Sequence, residues 1–252
     1  MTSPKGRVWD QYIRRLTADE RYRGCGNFEP AAVTASTSAE LDPRRPLLRG
    51  YFHALAAGAA VAGLAGLVLL ADSPRAYVGG AVFASSLILL YLTSSTYHSI
   101  TWGRRMRAVM KRLDHSMIFV LIAGTYTPFC LLVLNDAWGI SVLSVVWGVA
   151  GAGILLKVVW PGAPRWLGVT IYASAGWMGV VAGWPASDWF ELWPLLLLVA
   201  GCILYTIGGL IYALRRPDPF PRVFGYHEVF HLLVIAGSAL HYTLVAAYLM
   251  PA

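Results

Sequence analysis

Gly225-Tyr226-His227-Glu228-Val229-Phe230-His231 opens the last apolar run of this 252-residue chain. The stretch contains His-Glu-x-x-His. On an α-helix, residues four apart lie one turn apart along the axis and roughly 40° apart around it. His227 and His231 can therefore aim two imidazoles at one point, which is metal-ligand spacing. The run that follows, Val229 to Met250, holds no Asp, Glu, Lys or Arg. A candidate metal site thus begins a helix with the composition of a membrane span.

The whole chain has the same character. It is 57% hydrophobic and 13% charged, against about 25% charged for soluble domains. Lipid is the expected solvent for most of it. The net charge of +7 does not indicate a nucleic-acid partner. The basic residues lie in short clusters between apolar runs, where anionic headgroups account for them. Ten Trp and thirteen Tyr suit interfacial belts. Cys25, Cys130 and Cys202 are scattered and odd in number, so neither a disulfide framework nor a cysteine zinc site follows.

Seven runs approach or reach the roughly 20 apolar residues that a spanning helix needs. They are Gly50–Ala71, Ala76–Trp102, Ser116–Leu134, Ala137–Leu156, the shorter Trp166–Trp184, Leu192–Leu214 and Val229–Met250. Ahead of them, residues 1–47 form a polar and basic tail without the apolar core of a signal peptide. Within it Trp9, Tyr12, Ile13 and Leu16 have helical spacing. They read either as a short basic helix on the membrane surface or as part of a disordered tail. Residues 31–46 read as linker. The predicted fold is an all-α seven-transmembrane-helix bundle over residues 48–252. Nineteen of the twenty Lys and Arg fall on one side, counting alternate loops from the N-terminus. By the positive-inside rule the N-terminus is cytoplasmic and the C-terminus outside.

This topology brings three polar clusters to one depth. The last helix starts on the cytoplasmic side with His227 and His231. The second ends there with Ser94-Ser95-Thr96-Tyr97-His98, and the third starts there with Leu113-Asp114-His115-Ser116. Ionisable groups inside a bundle are costly and usually functional. Three imidazoles with one open position are a catalytic zinc pattern. Such an ion lowers the pKa of bound water to about 7 and polarises a carbonyl. Asp114 can hold or deprotonate that water, and Ser94, one turn before His98, can bind a ligand oxygen or a developing oxyanion. Glu228 stands where soluble metalloproteases carry their general base, or else it faces the headgroups. Taken singly, each residue has a simpler role. His98 can be interfacial, Asp114 can cap the third helix or pair with Arg112, and Ser94 can bond a backbone carbonyl. His53 reads as interfacial packing, and His115, beside Asp114, points elsewhere. His241 lies about 15 Å beyond His231, so it reads as a core or cavity histidine.

The ordered motifs resemble the hemolysin III family, bacterial relatives of the progestin and adipoQ receptors. The resemblance rests on Ser94 to His98, Arg112 to Ser116, Ala123-Gly124-Thr125-Tyr126-Thr127-Pro128-Phe129, and the block from Phe224 to Tyr242. It spans residues 48–250 and excludes the tail. It implies seven helices with a cytoplasmic N-terminus and a zinc ion on His98, His227 and His231. It further implies Asp114 on the metal-bound water, with Ser94 as the family serine. The wider superfamily includes ceramidases, which hydrolyse lipid amides. Tyr51-Phe52 departs from the pattern, which implies a smaller polar residue beside His53. Glu228 matches the bacterial branch, whereas the animal receptors tend to carry glutamine there.

Three functional classes follow. The first is an intramembrane zinc hydrolase of lipid amides or esters, with the bilayer as partner and a lipid substrate in the bundle. The second is a membrane-perturbing cytolysin, although no pore-forming hairpin or secretion signal is visible. The third is a receptor-like sensor with structural zinc. A metalloprotease shares His-Glu-x-x-His, but a third ligand from the second helix argues against it.

Overall fold

Among the residues described by the computed structural model, namely 48, 50–134, 136–182, 191–220 and 223–250, there are seven α-helices. They are α1 (Tyr51–Leu70), α2 (Pro74–Ser99), α3 (Arg104–Leu132), α4 (Asp136–Val159), α5 (Arg165–Ala182), α6 (Leu192–Leu214) and α7 (Tyr226–Leu244). A π-helical turn, Val245–Leu249, extends α7. The expected surface helix at Trp9–Leu16, the linker and Cys25 lie outside the described residues.

In lipid every backbone N–H and C=O must be satisfied within the chain, which leaves apolar segments the helix as their open-ended solution. Six of the helices are long and apolar enough to cross a membrane. The other, α5, has 18 residues, or about 27 Å at helical rise, close to the roughly 30 Å of hydrocarbon. The start of α2 is fixed by Pro74 at its first turn and by Ser73, whose Oγ accepts the Ala76 N–H at 3.2 Å. Pro has no N–H to lose at that position.

One boundary differs from expectation. The third span was expected from Ser116, yet α3 begins at Arg104 and runs for 29 residues. The basic stretch 104–112 is therefore helix rather than loop. Met106, Val109, Met110 and Leu113 recur at helical spacing between its arginines and lysines. Met106, Val109 and Leu113 remain exposed, as suits an apolar stripe at a bilayer interface.

Consecutive helices pack as neighbours, α7 returns to α1, and α3 also touches α5. Phe83, Phe119 and Leu67 are fully buried, whereas Leu69 is 85% and Leu214 71% exposed. The interior also holds His53, Ser94, Glu228, His231 and His241. Apolar groups outside and ionisable groups inside describe a protein whose solvent is lipid. The close approach of α2 and α3 depends on Gly124, because a Cβ there would collide with the side chain of Ser86. Cys130 and Cys202 are buried free thiols, in keeping with packing roles.

Candidate metal centre

α7 begins at Tyr226, so both histidines of the His-Glu-x-x-His stretch are helical. Two carboxylates set that start. Glu228 Oε2 accepts the Gly225 N–H at 2.8 Å, and Asp218 Oδ1 accepts the Tyr226 N–H at 2.9 Å. Both satisfy donors that a helix N-terminus otherwise leaves open. Carboxylates at this end also complement the helix dipole. The backbone must come close here, since a Cβ on Gly225 would sit 2.5 Å from Asp218 Oδ1. Glu228 is wholly buried, so it does not reach the headgroups.

His98, in the last turn of α2, meets this helix. Its Nε2 lies 3.1 Å from Nε2 of His227. The possible ligand atoms of His98, His227 and His231 all lie within 4.8 Å of one another. Their ring centroids are separated by 4.8 Å (His98–His227), 4.5 Å (His227–His231) and 5.3 Å (His98–His231). Two nitrogens bound at 2.0–2.1 Å to one tetrahedral ion lie roughly 3.3 Å apart. The 3.1 Å pair has that separation, and imidazoles suit zinc, copper, iron or nickel. The donor set fits a metal ion.

Asp114 lies ten residues inside α3, so it does not cap that helix. Its carboxylate bonds to the hydroxyl of Ser94, which is itself buried one turn before His98. Asp114 and Ser94 line the same cavity as His227 and His231. The sequence-derived residues are thus brought together, with Asp114 and Ser94 beside the three imidazoles rather than among them.

His53 is the residue that sequence reading missed. It was expected to pack at the interface, yet it is only 3% exposed inside the bundle. Its ring stacks on His231 with centroids 3.8 Å apart and planes 15° apart. Its place near the start of α1 was the available signal, and it did not give the direction of the ring. His115 does turn from the three imidazoles, towards Tyr212 Oη at 3.4 Å. His241 is a cavity histidine as expected, with Nε2 3.2 Å from the Leu198 carbonyl.

The cavity has a volume of about 410 Å3, within the roughly 300–1,000 Å3 of small-molecule sites. It reaches from His53 and His231 past Tyr205 to His241 and Leu249. A chain entering it would have polar groups at the histidine end and mostly apolar walls beyond.

A family model described as Haemolysin-III related matches residues 42–242. The chain is 35% identical over 167 residues to the hemolysin-3 homolog of Bacillus subtilis (strain 168), covering 66% of this chain and 75% of that protein. It is 35% identical over 176 residues to hemolysin-3 of Bacillus cereus, covering 70% and 77%. It is also 28% identical over 198 residues to the heptahelical transmembrane protein ADIPOR3 of Oryza sativa subsp. japonica, covering 69% and 46%.

Proposed function

The chain belongs to the haemolysin-III-related family and is a multi-pass membrane protein, and on that premise we propose that it is a zinc-dependent hydrolase of lipid amide or ester bonds. The observation that carries this reading is the meeting of His98, His227 and His231 within 4.8 Å at a cavity that Asp114 and Ser94 also line. The three imidazoles hold the ion, near the cytoplasmic face. Zinc bound there supplies a water of pKa about 7 and a Lewis acid for the carbonyl. Asp114 takes a proton from the attacking water and returns it to the leaving nitrogen or oxygen as the C–N or C–O bond breaks. The products are a fatty acid and an amine or alcohol. Ser94 orients the Asp114 carboxylate through their hydrogen bond. The apolar length of the cavity holds the acyl chain and excludes bulk water.

Two measurements test the proposal. Purified protein should carry about one zinc per chain, lost in His231→Ala; unchanged metal content in that variant removes the site. Protein in detergent should release fatty acid from ceramide-like lipids, and Asp114→Asn should abolish release while retaining zinc. Hydrolysis by Asp114→Asn at the original rate would take Asp114 out of the chemistry.

The names of the Bacillus relatives favour a second reading, perturbation of target membranes. It predicts dye leakage from vesicles that persists in Asp114→Asn.

A further inference from the structure

The metal-side end of the cavity carries a group of cations that the hydrolase reading does not use. Lys111, Arg112, Lys157 and Arg165 all line it, from α3, α4 and α5. Lys111, Lys157 and Arg165 all lie within electrostatic reach of His115, and Lys111 within reach of Lys157. Like charges held together repel unless an anion joins them. Asp114 is a carboxylate within electrostatic reach of both Tyr172 and Tyr212, and it is already bonded by Ser94.

Two of these side chains, Lys157 and Arg165, rest on aromatic rings that line the cavity. Lys157 Nζ sits 5.5 Å from the ring centre of Tyr172, and the Arg165 guanidinium sits 5.4 Å from that of Tyr212. Lys157 Nζ packs against α5, where a Cβ on Gly168 would stand 2.8 Å from it. Tyr172 Oη donates to the His115 carbonyl at 3.0 Å. Tyr212 contacts His115 and stands 5.7 Å, ring to ring, from His227. Two cations are therefore seated on two tyrosines that wall the cavity next to the imidazoles. Arg112 adds a buried Nε with no hydrogen-bond partner.

We propose that Lys111, Arg112, Lys157 and Arg165 form an anion-binding site at this end of the cavity, and that the molecule it admits is an amphiphile with a phosphate or carboxylate near its acyl linkage. The position of that linkage beside Asp114 and the histidines rests on the hydrolase reading; the anion site does not. A cation held over an aromatic face and a charge-assisted bond to phosphate both favour this chemistry.

Binding tests the site without turnover. The protein, in nanodiscs of neutral phosphatidylcholine, is titrated with lysophosphatidic acid and with the monoacylglycerol of the same acyl chain. The phosphate-bearing lipid should bind roughly ten-fold tighter or more, and the double variant Lys157→Gln/Arg165→Gln should lose that preference. Lys157→Arg/Arg165→Lys should keep it, which separates charge from packing. Equal affinity for the two lipids, or an unchanged preference in the double glutamine variant, would overturn the site. Competition by glycerol 3-phosphate would support a site for the free anion. Failure of that competition, with tight binding of the lysolipid, would support a lipid headgroup site. The titration reads binding alone, without metal content or turnover, so a failed hydrolase reading leaves its result standing.

Discussion

Glu228 illustrates how a motif and a structure can assign one residue to different work. In His-Glu-x-x-His the glutamate suggests a general base, yet its Oε2 accepts the Gly225 N–H at 2.8 Å and the side chain is wholly buried. Glu228→Ala should lower stability by about 1.5–3 kcal/mol, the scale of a buried charge-assisted hydrogen bond. Thermal unfolding in detergent reads this directly. Glu228→Gln keeps an accepting oxygen and should retain both zinc and hydrolysis; loss of hydrolysis with zinc retained would return the residue to catalysis. The pairing of His227 with His231 was legible because helical spacing is local. The cap was not, because it depends on the helix starting at Tyr226 rather than a residue or two away. The stack of His53 on His231 was illegible for a different reason: no spacing rule relates α1 to α7.

At the scale of the element, α7 behaves as a lever whose N-terminal end places two ligands. Asp218 belongs to the preceding loop, and its Oδ1 holds the Tyr226 N–H at 2.9 Å. The backbone of Gly225 fits beneath that carboxylate only because it has no Cβ. Gly225→Ala should therefore displace the first turn and move His227 relative to His98 on α2. The expected result is zinc affinity lowered roughly ten-fold or more, the range for lost support behind a metal ligand, with helical content retained. Competition with a chelator measures it, and unchanged affinity would show that the turn tolerates the shift. The long basic start of α3 belongs to the same scale. Its charges marked it as non-spanning. The inference from charge to loop did not hold, because charged residues with interleaved Met, Val and Leu form an amphipathic helix as readily as a loop.

The arrangement of the whole molecule turns on which side the metal centre faces. The composition announced lipid as the solvent, and the apolar outside with histidines inside bears that out. The count of seven was legible even at α5, the weakest span, because Lys157 and Arg165 flank its approach and preserve the alternation of charge. Sidedness is a further step, since a bundle has the same internal packing in either orientation. The placing of nineteen of the twenty basic residues on one side predicts it through the positive-inside rule. Asp72, exposed between α1 and α2, and Gly162, exposed between α4 and α5, fall on opposite faces in that scheme. With the native cysteines replaced, Asp72→Cys should react with an impermeant maleimide added to intact cells. Gly162→Cys should react only after the membrane is opened. The ends of α2 and α7 that carry His98 and His227 lie on the same face as Gly162 in this topology. The reversed labelling pattern would therefore move the metal centre to the outer face, and any water, anion or product would then exchange with the outside rather than the cytoplasm.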